Sequence, residues 1–463
     1  MIPKTISKAL AALPLLALPT EASAAKTPQK APKPNIIMIY IDDMGYGDLS
    51  CYGGNMAPTP NIDRLAAQGK RFTQFYVASP ISSPSRVGIT TGMFPTRWGI
   101  TTFLNTRKAN RYNEQNDFLS TEAPSLARQL KSVGYATGHF GKWHMGGGRD
   151  VDNAPSIREY GFDEYASTWE SPDPDPLLTA SDWIWSNQDS IKRWNRTAYF
   201  IDRTLDFLRR HKGQPCYVNL WPDDVHAPWV PNSMVADEEK GVWVKQSSFV
   251  PVLTQLDVQI GRFIDALHRE GLDENTIILF SSDNGPDPSF GNKRTVGLKG
   301  QKGSLYEGGI REPFFVRWEG HIASGEVDSS TVMASVDIFP TLCAIAGAPL
   351  PSGYKLDGVD MCDALLNGNA PKRATPLCWE YGKNFKPPAP PPFGNIYSPH
   401  LAIRDGDWKL IMNDDGKDAQ LYDMAGDPME KSNVAAQNPK VVERLQGMLM
   451  EWYKHAWRQF ADK

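Results

Sequence analysis

The sequence has no long run of lysine or arginine, and 49 Lys+Arg against 53 Asp+Glu leave a net charge of -4, so it lacks the electrostatic footprint of a nucleic-acid binder. Cysteine is scarce. Cys51, Cys216, Cys343, Cys362 and Cys378 are the 5 present, none in CxxC spacing, which signals neither a zinc site nor a disulfide framework. An odd number leaves at least one thiol unpaired in a monomer, and core packing is the expected role of each. Beyond the N-terminal region no segment approaches 18 uncharged apolar residues, so none reads as a membrane-spanning helix. Internal repeats are also absent. What remains is 463 residues with 41% apolar and 22% charged side chains, an ordinary globular composition too long for one core, so a large domain with a smaller one is expected.

The N-terminus carries Lys4 and Lys8, an apolar stretch from Ala9 to Leu18, and then Ala22-Ser23-Ala24. That is the layout of a signal peptide with its small-residue cleavage site, and Pro14 together with the short apolar stretch argues against an anchor. Residues 1–24 are thus expected to be removed near Ala24/Ala25 on export, leaving a secreted or periplasmic protein with a linker over 25–34.

Asn35 to Ile41 is a continuous apolar run, the pattern of a strand buried on both faces. Helical patterns at 61–68, 124–133, 197–210 and 253–270 alternate with apolar strand patterns at 136–140, 216–220, 276–281 and 314–316. Such alternation predicts a large, mostly parallel sheet sandwiched by helices. A helical pattern at 336–345 and the turn-rich 347–358 close that layer. The proline run at 386–392 suits a loop. Residues 401–404 and 408–412 alternate about Asp405-Gly406-Asp407, a hairpin signal, and a helix is expected over 441–456. The expected organisation is a catalytic domain over 35–370 and a smaller α+β C-terminal subdomain of antiparallel strands and a helix over 371–463.

Chemistry concentrates at strand ends. Asp42-Asp43 follows the first strand, and adjacent carboxylates there repel unless a cation lies between them. Asp283-Asn284-Gly285 follows the strand at 276–281. Each group alone is an ordinary loop or turn sequence; together they could converge on one hard cation, Ca²⁺ or Mg²⁺, through oxygen donors.

The segment Ser82-Ser83-Pro84-Ser85-Arg86, with Thr91-Gly92 following, resembles the signature of the formylglycine-dependent (type I) sulfatases of the alkaline phosphatase superfamily. Further motifs of that family stand in order: Gly141-Lys142-Trp143-His144, then Asp224-Val225-His226-Ala227-Pro228, then Gly300-Gln301-Lys302-Gly303, then Tyr306-Glu307-Gly308-Gly309. The tail Arg404-Asp405-Gly406-Asp407-Trp408-Lys409-Leu410 is similar to the family's C-terminal subdomain. Outside such a set, His144 or His226 reads as a structural histidine and Lys142 or Lys302 as a surface charge.

The resemblance implies an alkaline-phosphatase-like fold, Ca²⁺ held by Asp42, Asp43, Asp283 and Asn284, and oxidation of Ser82 to formylglycine by a maturase. Its hydrate would attack sulfur, with Arg86 and Lys142 assisting ionisation, His226 protonating the leaving alcohol, Lys302 neutralising sulfate oxygens, and His144 acting as the base that expels sulfate. The commoner signature has cysteine first. Ser82 fits either a serine-type enzyme with its own maturation system or a Cys-to-Ser replacement.

Export, and tryptophans in or near the motif loops (Trp98, Trp143, Trp169, Trp183, Trp185 and Trp229), favour a sulfated carbohydrate as substrate, although core packing accounts for many such rings. Two other readings stand beside this one. A phosphatase or phosphonate monoester hydrolase of the same superfamily would share the sheet but add histidine metal ligands. A non-catalytic glycan-binding relative would lack some ionisable motif residues.

Overall fold

The structure is a computed structural model that describes residues 1, 32–178, 188–232, 245–371, 373–381 and 397–461. The expected signal peptide apart from Met1, most of the linker, the proline run at 386–392, Trp183 and Trp185 lie outside the described residues.

The chain from Pro34 to Lys463 forms one compact unit built on two sheets. The larger contains β1 (Asn35–Ile41), β2 (Lys70–Tyr76), β3 (Ala136–Gly141), β4 (Glu164–Ser167), β5 (Cys216–Trp221), β6 (Thr276–Ser282), β7 (Arg311–Arg317), β8 (Glu326–Asp328) and β9 (Met333–Ala334). Its order is β4-β3-β5-β1-β6-β7-β2-β8, with β9 also paired to β2. Strand pairs run parallel from β4 to β6, whereas β7 is antiparallel to both β6 and β2. The apolar run predicted as the central strand is β1. It lies between β5 and β6 with Ile36 to Ile41 buried, alternate side chains feeding separate cores on the two faces.

Helices cover those faces because their apolar residues recur at helical spacing. In the helix Gln246–Arg269, Phe249, Leu253, Leu256, Ile260, Phe263, Ile264 and Leu267 form one buried stripe. Truncating one of them, Leu256→Ala for instance, costs about 2–5 kcal/mol by lost transfer energy and cavity formation. Sequence periodicity located the later part of this helix and missed its first turns, which include Pro251. It also missed β2, whose KRFTQFY sequence has only three apolar residues.

The smaller sheet is antiparallel in the order β10-β11-β12-β13, comprising β10 (Leu377–Glu380), β11 (Leu401–Asp405), β12 (Trp408–Met412) and β13 (Gln420–Asp423). The predicted hairpin about Gly406 is β11–β12. The helix Pro439–Ala461 follows, and its Leu445 and Leu449 join the same core as one face of the large sheet. All five cysteines are free: Cys216, Cys343 and Cys378 are buried, Cys51 and Cys362 partly so. No helix among the described residues is long and apolar enough to cross a membrane.

Candidate active site

Because β1, β3, β5 and β6 are parallel neighbours, the segments leaving their carboxyl ends emerge along one edge of the sheet. Asp42 and Asp43 leave β1, Lys142 and His144 leave β3, Asp223 to His226 leave β5, and Asp283 and Asn284 leave β6. Ser82 begins the helix Ser82–Thr91, every residue of which is buried. Gly88 permits that packing, since a Cβ there would fall 2.3 Å from the Ala78 Cβ.

These segments bring together the residues named from the sequence. Ser82 Oγ lies 3.1 Å from Asp42 Oδ1, 3.3 Å from Asn284 Oδ1 and 3.5 Å from Lys142 Nζ. Lys142 Nζ donates to Asp42 Oδ2 at 2.8 Å. Arg86 donates to Asp283 Oδ2 at 2.7 Å and lies 3.3 Å from Asp42 Oδ1, with its guanidinium over Trp221 and Tyr40. Lys302 Nζ donates to Asp43 Oδ2 at 2.7 Å, and His226 Nε2 lies 3.6 Å from the same oxygen. Both nitrogens of His226 face acceptors, because Nδ1 lies against the Ala227 carbonyl. Arg193 braces the His226 loop by donating to the Asp223 and His226 carbonyls at 2.6 and 3.0 Å.

Asp42, Asp43 and Asp283 are fully buried and each offers an oxygen within 4.8 Å of the others. Asn284 Nδ2 donates to Asp43 Oδ1, fixing the amide so that its Oδ1 faces Ser82. An all-oxygen donor set of this kind fits a hard divalent cation and not a thiolate- or imidazole-seeking metal.

Electrostatics differ among the three acids. Burial alone would raise Asp42, but Lys142, His226, Arg86 and Lys302 hold it well below the usual carboxylate range. Asp43 is lowered against its burial by Lys302 and His226. Asp283 is raised, by burial and by its two acidic neighbours, despite Arg86. Burial also lowers His226, and Lys302 adds to that effect.

Beside this cluster is a cavity of about 240 Å³ lined by Ser82, Lys142, His144, His226 and Lys302, and by the groups Ile81, Phe103, Arg149, Trp169 and Glu170. Glu170 and Arg149 carried no sequence signal, since neither belongs to a recognised motif. Of the tryptophans noted in the sequence, Trp169 lines the cavity. Trp143 and Trp229 are core residues, and Trp98 packs on Tyr354.

Residues 34–348 match the sulfatase family, and residues 300–455 match the C-terminal region of N-sulphoglucosamine sulphohydrolase. An N-acetylgalactosamine-6-O-sulfatase of Bacteroides thetaiotaomicron is 31% identical, over 96% of this chain and 99% of that protein. Human arylsulfatase A is 30% identical, over 89% of this chain and 86% of its own length. A solved structure from work on the metabolism of multiple glycosaminoglycans by Bacteroides thetaiotaomicron superposes with a TM-score of 0.74 at 28% identity, covering 91% of this chain and 99% of that one. A second, solved in complex with a neocarrahexaose, gives 0.71 at 27% identity, covering 92% and 93%. The chain therefore belongs to the sulfatase family and is a sulfuric ester hydrolase with an alkaline-phosphatase-like fold.

Proposed function

We propose that this sulfatase acts on sulfated carbohydrates, with residue 82 as its nucleophile after oxidation to formylglycine by a maturase. The carrying observation is the convergence of the Ser82 hydroxyl, three buried carboxylates and a set of cationic side chains on one cavity. The names of the relatives point to sugar sulfates, and N-acetylgalactosamine 6-sulfate is the first substrate to test. In this reading residues 35–370 carry the catalysis and 371–463 brace it. Export on the residue 1–24 signal peptide would put the enzyme where polymer fragments are found.

Asp42, Asp43, Asp283 and Asn284 would hold Ca²⁺, which when bound supplies a Lewis acid and a template for sulfate oxygens. The chain's own groups perform the remaining steps. Arg86 and Lys142 favour the ionised oxygen at residue 82 by placing positive charge beside it, and Asp283, held by Arg86, is the proposed acceptor of its proton. Lys302, whose ammonium is stabilised by Asp43 and Asp42 against its burial, offsets the charge of the transferring sulfate. His226 protonates the leaving alcohol: acceptors face both of its ring nitrogens and can hold the proton-loaded ring, while burial and Lys302 lower its hold on that proton and make it the stronger acid. His144, on the cavity wall, takes the proton whose removal expels sulfate.

The test is hydrolysis of nitrophenyl sulfate, nitrophenyl phosphate and N-acetylgalactosamine 6-sulfate by protein produced beside a serine-type maturase, with the mass of the Ser82 peptide measured on the same sample. Sulfate turnover accompanied by loss of two hydrogens from that peptide is expected. Faster turnover of the phosphate would move the assignment to a phosphatase, and binding of sulfated glycan with no turnover of any ester by modified protein would leave a glycan-binding role.

A further inference from the structure

Glu170 takes no proton and holds no ion in the proposed reaction, yet it is a buried acid on the wall of the same cavity. The loop from His144 to Arg149 lies on the loop from Trp169 to Pro172, and glycines make the approach possible. Gly146, Gly147 and Gly148 all have positive φ, and a Cβ on Gly147 would meet the Pro172 nitrogen and Ser171 carbonyl carbon at 2.3 Å. His144 itself is held at φ 51°, a left-handed conformation unusual for a residue with a Cβ. The two loops are joined twice around Glu170. Its main-chain carbonyl accepts from His144 N at 3.0 Å, and its carboxylate lies 3.4 Å from His144 Nδ1. That carboxylate is fixed from behind, with Arg149 donating to Oε1 at 3.0 Å and Lys142 Nζ lying 3.8 Å from Oε2.

We propose that Glu170 is the positioning residue of His144, holding the ring's proton on Nδ1 so that Nε2 is free to accept one; this rests on the proposed role of His144 as the base. A neutral imidazole carries one donor and one acceptor, and His144 has an acceptor on each side: the Leu104 carbonyl at hydrogen-bond geometry 3.3 Å from Nε2, and the charged Glu170 carboxylate 3.4 Å from Nδ1, an ion-pair contact without hydrogen-bond geometry in this structure. It cannot satisfy both while neutral. The charged oxygen is the stronger acceptor, so the Nδ1–H tautomer is favoured. When Nε2 takes the proton from the free hydroxyl of the sulfated hydrate at residue 82, the O–H electron pair forms the C=O bond of the restored aldehyde, the C–O bond to sulfate breaks with its pair leaving on sulfate, and the Leu104 carbonyl accepts the new N–H. Burial is the main influence against the charged ring; Glu170 opposes that influence, and Lys142, Arg149 and Arg86 add to it.

The experiment uses full-length, maturase-modified, calcium-loaded protein and compares wild type with E170Q, E170D and H144A. Expected for E170Q are a kcat lower by roughly 10- to 100-fold with a much smaller change in KM, and an acid limb of the kcat profile displaced to lower pH. E170D, which keeps the charge, should restore much of both. Histidine ¹⁵N NMR, with the His144 signal identified by its loss in H144A, should show Nδ1–H in wild type and E170D and a shift toward Nε2–H in E170Q. This readout does not depend on turnover. An Nε2–H ring in wild type, or an E170Q whose kcat and acid limb match wild type while H144A is inactive, overturns the proposal. An increase in KM with kcat unchanged also overturns it, by making Glu170 a substrate contact. If the tautomer shifts as expected but H144A is as active as wild type, the reading of His144 as the base fails with it.

Discussion

Two of the buried acid–base clusters among the described residues differ in how their charges are arranged. At the sheet edge, Asp42, Asp43 and Asp283 crowd within 4.8 Å of one another beside a cavity. At the junction with the small sheet, Lys409 Nζ sits between Glu307 Oε1 at 2.8 Å and Glu430 Oε1 at 2.9 Å. Glu307 Oε2 also accepts from Tyr76 Oη at 2.7 Å, Glu430 Oε2 accepts from the Glu307 amide at 2.7 Å, and Arg404 reaches Tyr76. The junction places one cation between two acids, which suits a structural brace. The sheet edge places carboxylate next to carboxylate and opens on a space for substrate. Carboxylates crowded beside a cavity mark function, and a cation shared between two buried carboxylates marks assembly.

Substitutions should divide along the same line. The largest effect is expected from Ser82→Ala, which removes the proposed precursor of the nucleophile and should lower kcat on the order of 10⁴-fold or more while the unfolding midpoint and calcium binding hold. Residual activity within tenfold of wild type would require attack by a solvent-derived oxygen. Next is His226→Ala, which should slow sugar sulfates by ~10²- to 10⁴-fold and nitrophenyl sulfate much less, because a good leaving group does not need the proton. Equal losses on both would remove His226 as the donor. Metal removal belongs to the same side of the comparison: chelation should abolish activity and lower Tm, since Asp42, Asp43 and Asp283 would lose the cation that offsets their repulsion. Full activity in protein shown by elemental analysis to be metal-free would overturn the calcium assignment.

At the junction the balance should reverse. Lys409→Met takes the cation from Glu430 and leaves Glu307 to Tyr76 and Arg311, a loss of about 3–5 kcal/mol when one partner of a buried ion pair is removed. Urea unfolding should show that loss, with kcat per folded molecule unchanged. A lower kcat without lower stability would tie the junction to catalysis.

The sequence announced these regions unequally. Asp42-Asp43 and Asp283-Asn284 were legible because carboxylates directly after buried strands have a physical reason to be there, and parallel pairing of β1 with β6 then brings them side by side. The hairpin at Gly406 was legible because the alternation on each side has a period of two. β2 was not, since Lys70, Arg71, Thr73 and Gln74 interrupt its pattern while tertiary pairing with β7 holds it in the sheet. Glu170 was equally silent. Its place beside His144 arises from the apposition of two loops distant in sequence, which no local pattern records.

The smallest expected effects concern pH, and there the two clusters should oppose each other. Burial pushes His144 from 6.5 down to about 3, so between those values the unfolded chain binds a proton that the folded chain refuses, and stability falls as pH falls through that window. Glu170 acts in the same direction. Against its burial, His144, Lys142, Arg149 and His226 hold it at about 2 instead of 4.5, and its contribution is lost as pH drops between those values. Glu430 is different: burial raises it above 4.5 to about 7, with Lys409 opposing and Glu307 assisting. The folded chain therefore retains a proton that the unfolded chain releases, and this contribution is present at low pH and lost as pH rises through about 7. Unfolding free energies of the calcium-loaded protein from pH 4 to 8 test both signs. His144→Gln should flatten the acid-side decline, and Glu430→Gln, a neutral stand-in for the protonated acid, should remove the loss that accrues as pH rises from 4.5 to about 7. If each variant reproduced the wild-type slope in its own window, neither group would be titrating between folded and unfolded states as its surroundings require, and the contrast between sheet edge and junction would rest on geometry alone.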